Sequence, residues 1–264
     1  MIGLKHTRLR SLPKVSVLIP AFNEEKYILR TLNTLMIQDY PDFEVIIANN
    51  ASTDLTAVII QEFIDTHTGY GISFRLVHEI RQGTNFAREC ARMHATGSII
   101  AQLDADCVPA SNWLRKGVSL LCANNKGRVA VTGPYDYFDG SKWMRFSTLL
   151  SQKLVYPLIN TFVQVSGKAA ILIGGNAFIR SEVLERAGGY NTALTFYGDD
   201  VDLGKKLAKY GRVDFMASLV QRSSSRRYKA NGFWEVNKKY QSCFWNLVKN
   251  REHLLQTIED SHPR

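Results

Sequence analysis

Short apolar runs alternate with stretches in which apolar residues recur every three or four positions, and this alternation organises the chain from Lys14 to about Leu103. Val15-Ser16-Val17-Leu18-Ile19 reads as a strand closed by Pro20. Apolar runs of this length, bounded by turn residues, suit strands covered on both faces. Asn23 is placed to cap a helix whose Ile28, Leu32, Leu35 and Met36 share one face. Glu44 to Ala48 predicts a second strand, then a polar turn from Asn49 to Asp54, then a helix turning Leu55, Val58, Ile59 and Phe63 inward. Phe74 to Val77 is a third strand, Thr84 to Ala95 a helix ended by Gly97, and Ile99 to Leu103 a fourth strand. Such a succession predicts βα units around a mainly parallel sheet.

Beyond Leu103 the rhythm loosens. Val129 to Thr132 reads as a strand, and Trp143 to Ile159 as one or two amphipathic helices interrupted at Pro157. Gly174-Gly175-Asn176 opens an extended run to Arg180. Asp199-Asp200 precedes a helix from Val201 to Tyr210 that Gly211 stops, and Phe233 to Ile258 predicts a long final helix.

Composition narrows the class without naming a function. The 264 residues allow one large or two small domains. With 45% hydrophobic and 22% charged residues, 18 Gly and 7 Pro, the chain has a globular composition, which excludes collagen-like and wholly disordered readings. Cys90, Cys107, Cys122 and Cys243 are scattered with no Cys-x-x-Cys, so neither a zinc site nor a disulfide framework is expected, and a reducing compartment is. Met1 to Lys14 lacks the apolar stretch of a signal peptide. The longest apolar candidate, Leu154 to Ile173, is broken by Asn160, Gln164, Ser166, Gly167 and Lys168 and falls short of the roughly 18 uninterrupted residues of a membrane span. A cytoplasmic location follows as the expectation.

The net charge of +9 sits at the two ends. Lys5, Arg8, Arg10 and Lys14 give the N-terminus +4; residues 221–251 carry eight Lys or Arg against Glu235, or +7, which leaves −2 for the remainder. Basic ends are compatible with phosphates of several kinds, of nucleic acid, lipid headgroups or a diphosphate substrate, and the net negative body weakens the nucleic-acid reading, so no nucleic-acid partner is expected. Phe233, Trp234, Tyr240, Phe244 and Trp245, set among Lys229, Lys238, Lys239, Lys249 and Arg251, describe either a core-packing helix with a solvated face or one that lies on an anionic membrane.

In open α/β sheets ligands bind beyond the carboxyl ends of the strands. Here those ends deliver Pro20-Ala21-Phe22-Asn23-Glu24-Glu25, Asn49 to Asp54, and Asp104-Ala105-Asp106. No Gly-x-Gly-x-x-Gly or Gly-x-x-x-x-Gly-Lys-Ser/Thr stands at these turns, against dinucleotide and P-loop chemistry. Two aspartates one residue apart at a strand end offer hard oxygen donors suited to Mg²⁺ or Mn²⁺, able to clamp a diphosphate; a solvated turn is the plainer reading of the same residues.

Taken together, these stations resemble the family 2 glycosyltransferases, inverting enzymes of the GT-A fold. The resemblance runs from about Val15 to Tyr228 through the first-strand segment, Ser52-Thr53-Asp54, Arg88 after Gly83, Leu103-Asp104-Ala105-Asp106, Gly174-Gly175-Asn176 and Gly198-Asp199-Asp200-Val201-Asp202-Leu203. It implies an α/β, Rossmann-like GT-A fold with a mainly parallel central sheet flanked by helices. It also implies a metal-dependent transfer of one sugar from a nucleotide-diphosphate sugar, a UDP-sugar favoured, to an acceptor hydroxyl; that the sugar acceptor is lipid-linked or membrane-proximal is suggested by the basic C-terminal segment alone. Pro20, Ala21, Phe22, Asn23, Glu24, Asn49, Asp54, Arg88, Ala105, Gly175, Asn176 and Asp199 then bind substrate, Asp104 faces ribose and metal, and Asp106 ligates the metal. Asp200 matches the catalytic base; a helix cap is its alternative role.

Two positions depart from the family pattern: Asn49 stands where an acidic residue is usual, and Asp199 replaces a Glu. The processive Gln-x-x-Arg-Trp motif is missing; Gln221 leads instead into Ser225-Arg226-Arg227-Tyr228, like the ending of single-transfer members, with Arg226 and Arg227 open to a diphosphate or an anionic acceptor. The expected division is a glycosyltransferase domain at 1–228, with a nucleotide-sugar half to about 107 and an acceptor half after it, and a basic helical C-terminal segment at 229–264. The rival readings are a sugar-phosphate nucleotidyltransferase, whose first loop should carry Gly with Arg or Lys rather than Glu24 and Glu25, and a non-catalytic nucleotide-sugar-binding protein.

Overall fold

The computed structural model describes residues 12–123, 127–165, 169–194 and 198–248. Lys5, Arg8, Arg10, Ser166 to Lys168, Lys249, Arg251 and the end of the predicted last helix lie outside the described residues, as does the Phe244 side chain. The first half is βα-alternating: β1 (Val15–Ala21), α1 (Ile28–Met36), β2 (Phe43–Asn49), α2 (Thr56–Thr66), β3 (Ser73–His78), α3 (Thr84–Met93) and β4 (Ile99–Leu103). The second half continues with α4 (Trp113–Cys122), β5 (Arg128–Thr132), β6 (Tyr135–Tyr137), α5 (Lys142–Val165), β7 (Asn176–Arg180), α6 (Ser181–Arg186) and α7 (Asp199–Ala208). It ends with β8 (Arg212–Phe215), β9 (Gln221–Ser223), α8 (Arg226–Asn231) and α9 (Phe233–Val248).

Seven strands form one sheet in the order β3-β2-β1-β4-β7-β5-β8, parallel except that β7 runs against β4 and β5. β1, β2 and β4 are buried along nearly their whole length, so both faces need apolar residues and two cores form. One packs Val17, Ile19, Val45 and Ile47 under α1, α2 and α4; the other packs Leu18, Ile46 and Ile100 under α3, α6 and α7. Thr31 of α1 brings its hydroxyl within 2.6 Å of the Ala105 carbonyl and 2.8 Å of the Cys107 carbonyl, fixing the turn after β4. The parallel pair β6 and β9 stands apart from the main sheet and carries the segment that leads into Arg226.

Local geometry corrects several expectations. Asn23 does not cap α1: it sits at φ 53°, its Oδ1 accepts the Thr53 N–H at 2.9 Å, and the helix begins only at Ile28. Leu55 and Val58 face solvent at 59% and 50% exposure, and Ile60 fills the core in their place, because α2 begins at Thr56. Pro157 does not split α5, which runs through it as one helix. Asp199 and Asp200 do not precede α7 but form its first turn, with Gly198 as the capping residue in a left-handed conformation.

α5 covers the sheet edge at β8 with amides. Gln164 and Asn160 both donate to the Val213 carbonyl at 2.7 Å, and the Val213 N–H donates to Gln164 Oε1 at 2.9 Å. The N–H and C=O of Val213 on this edge strand are thereby paired instead of open to another chain.

Candidate active site

A pocket lies beyond the carboxyl ends of β1 and β4, where an open α/β sheet binds its ligands. Pro20, Ala21, Phe22, Glu24, Arg88, Asp104, Ala105, Asp106, Asp199, Asp200, Arg226 and Arg227 all line it.

At its centre Arg88, buried on α3, gathers carboxylates from two other elements. Its Nη1 lies 2.9 Å from Asp199 Oδ2 and 3.2 Å from Asp200 Oδ1, and its Nη2 lies 3.2 Å from Asp104 Oδ1. Burial works against the guanidinium charge, but Asp200, Asp199 and Asp104 outweigh it and hold Arg88 above its ordinary value. Burial pushes the carboxyls of Asp199 and Asp200 upward, with Arg88 pulling both back. Asp200 keeps 29% of its side chain exposed against 13% for Asp199, so it is the more open of the pair. The Gly174 N–H donates to Asp200 Oδ2 at 2.9 Å, which fixes the second oxygen.

Two glycines let these groups close in. A Cβ at Gly174 would stand 2.3 Å from Asp200 Oδ1 and 2.5 Å from Arg88 Nη2; one at Gly175 would stand 2.2 Å from the Tyr135 hydroxyl and 2.4 Å from Asp104 Oδ2. Tyr135 donates to that same Asp104 oxygen at 2.8 Å.

The facing wall is Arg226. Its guanidinium grips both Glu24 carboxylate oxygens, and its Nε lies 3.1 Å from Asp106 Oδ2. Burial raises Asp106 and pushes Glu24 up to about 7, against the pull of Arg226. Asp139 secures the start of α8 by accepting the Ser225 N–H at 2.6 Å and the Ser224 hydroxyl and Lys229 ammonium at 3.0 Å each.

Other residues singled out in the sequence lie outside the pocket lining. Asn49 is buried, its amide nitrogen 3.4 Å from His78 Nδ1, and its neighbour Asn50 lines the pocket while accepting the Gly83 N–H at 2.8 Å. Asp54 ties the Glu25 N–H to the start of α2, accepting from the Thr56 N–H at 3.0 Å. Asn176 is a core residue: its Oδ1 accepts from the Trp113 indole at 2.9 Å and its amide donates to the Leu219 carbonyl at 2.6 Å. Sequence reasoning missed Gln82, Thr84, Tyr135, Tyr137, Tyr228 and Tyr240, all in the lining. The Tyr135-Asp136-Tyr137 alternation after a strand was the available signal for two of them.

Asp104 and Asp106 are the residues suited to a divalent cation. Among the described residues no cluster of three or more His, Cys, Asp or Glu forms a closed cage. A pair of carboxylates beside an open pocket is the donor set of a cation that completes its shell with water and phosphate oxygens, so the residues present fit Mg²⁺ or Mn²⁺.

Fold and site together define a GT-A glycosyltransferase. The chain matches the family described as Glycosyl transferase family 2 over residues 16–188, and it belongs to that family. It is 29% identical over 247 residues to glycosyltransferase AglE of Haloferax volcanii, covering 85% of this chain and 80% of the relative. Beta-monoglucosyldiacylglycerol synthase of Nostoc is 29% identical over 200 residues, 75% of this chain but 42% of that protein. Among solved structures, mannosyltransferase PcManGT of Pyrobaculum calidifontis, in complex with GDP-Man and Mn²⁺, superposes with a TM-score of 0.66 at 26% identity over 95% of this chain and 66% of that one.

Proposed function

We propose that the enzyme moves a single sugar from a nucleotide-diphosphate sugar to an acceptor hydroxyl, with inversion at the anomeric carbon. The observation that carries this reading is the convergence of Asp104, Asp199 and Asp200 on Arg88 in one pocket, faced by the Arg226 guanidinium. Asp200 serves as general base. Each of its oxygens receives one hydrogen bond from the protein and keeps lone-pair capacity for an acceptor O–H. As the acceptor oxygen bonds to the anomeric carbon, the bond from that carbon to the diphosphate oxygen breaks and Asp200 takes the proton. Attack from the face opposite the leaving group inverts the centre. Arg88 holds the base in place, and the arginines of α8 stabilise charge on the departing diphosphate. Asp104 and Asp106 would hold the divalent cation, which when bound supplies further charge to the diphosphate.

The family membership favours sugar transfer over nucleotidyl transfer. The complex of the mannosyltransferase relative supports GDP-mannose beside UDP-sugars as a donor, and the diacylglycerol synthase relative supports a lipid-borne acceptor. The test is nucleotide release from a panel of nucleotide sugars with Mn²⁺ present. Release from one donor class, raised by a lipid-linked acceptor, is expected; binding without release from any donor overturns the catalytic reading.

A further inference from the structure

The inward face of α5 is mixed: Met144 and Val163 are buried beside Thr148, Gln152 and Asn160, with the Tyr135 N–H donating to Gln152 Oε1 at 2.9 Å and the Ile171 N–H to Asn160 Oδ1 at 2.7 Å. Its outward face is apolar. Trp143, Phe146, Leu150, Leu154, Leu158 and Phe162 follow one another at spacings of three or four residues and are 44–73% exposed. That spacing draws a single stripe along one side of a helix. At about 1.5 Å per residue the helix is roughly 36 Å long, so the stripe far exceeds the scattered apolar residues normal on a soluble surface.

We infer that this face of α5 lies in the plane of an anionic lipid bilayer, with the stripe among the acyl chains. Charge favours that occupant. The helix carries Lys142 and Lys153, besides an Arg145 that pairs with Asp136 at 2.8 Å, and no Asp or Glu along its 24 residues, while Lys238 is exposed on α9. Anionic headgroups complement such cations, whereas a second copy of this acid-free helix face offers them no counter-charge. Among the described residues no helix is long and apolar enough to cross a membrane, which agrees with an in-plane helix. Position favours it too. The Trp143 ring lies 5.8 Å from Phe233, Phe233 lies 5.6 Å from Tyr228, and Tyr228 lines the pocket. Trp234, 79% exposed, stands beside Phe233. The surface thus runs to the pocket rim, and a bilayer there presents headgroup-level hydroxyls to the site. The sequence placed its membrane expectation on the final helix; among the described residues the larger exposed apolar surface is on α5.

This inference rests on the proposed function only for the placement of the acceptor, and vesicle binding is read without donor, so the two fail separately. The full chain is sedimented with phosphatidylglycerol-containing and with pure phosphatidylcholine vesicles, and Trp fluorescence is read against bromine-labelled lipid. Binding to the anionic vesicles, with Trp quenching reduced in Trp143→Phe, is expected. The pair Leu154→Glu and Leu158→Glu should lower partition by about tenfold or more without changing the melting temperature, since both positions face solvent. Partition unchanged in that pair, or absence of quenching in the wild type, overturns the inference. So does a dimer in solution that the pair converts to monomer without any vesicle binding in the wild type.

Discussion

Replacing Arg88 by Met removes the one cation shared by Asp104, Asp199 and Asp200 while keeping a side chain of similar reach. Breaking a buried ion pair from one side costs about 3–5 kcal/mol. Arg88 is 5% exposed, but Asp104 and Asp200 are 35% and 29% exposed, so water screens part of the repulsion and the loss settles near ~2–3 kcal/mol. With an unfolding entropy of about 2.1 cal/mol/K per residue, a chain of this length loses roughly 4–5 °C of melting temperature. Scanning calorimetry of the wild type, Arg88→Met and Arg88→Met/Asp199→Asn reads this directly. The double variant should recover part of the loss, since it removes one of the stranded carboxylates. An unchanged midpoint in Arg88→Met, or a double variant that melts below Arg88→Met, would refute the view that these charges are held together by Arg88.

Three further outcomes follow from the same geometry. Gly175→Ala drives a methyl against Asp104 and Tyr135 and should weaken donor binding at a stability cost of about 1–3 kcal/mol; a wild-type donor-induced thermal shift would count against the close approach. Burial opposes ionisation of Asp139, yet the Ser225 N–H, Lys229 and Ser224 overcome it and lower its pKa from 3.8 to about 2. A lowered carboxyl stabilises the fold above its unfolded pKa and loses that contribution as pH falls, so Asp139→Asn should melt below the wild type at neutral pH and converge with it between pH 3.8 and about 2. A pH-independent gap would contradict this. Chelation with EDTA should abolish nucleotide release and Mn²⁺ should restore it, and full activity in EDTA would remove Asp104 and Asp106 from any metal role.

The strands of the first half were legible because β1, β2 and β4 are buried on both faces, which leaves continuous apolar runs such as Val45 to Ala48. The acidic pocket was legible for a related reason: short polar clusters after such runs fall together at one end of a parallel sheet. Tertiary demands hid the rest. Asn23 looked like a cap, but its side chain is committed to the Thr53 N–H. Asn49 and Asn50 are adjacent, and the alternation of a strand decides which one faces the ligand; no local preference marks the difference. The amides of α5 read as interruptions of an apolar helix until the edge strand they satisfy was seen. Tyr228 and Tyr240 reach the pocket from helices whose sequence gives no sign of where they fold back.

The central claim is that Asp200 takes the acceptor proton, and the most direct measurement is the turnover of Asp200→Asn at saturating donor and acceptor. Asn keeps the size and can still accept the Gly174 N–H, but it removes the base. Turnover reduced by about 10²–10⁴-fold, with donor affinity close to that of the wild type, is the result the account predicts. Turnover near that of the wild type would contradict it.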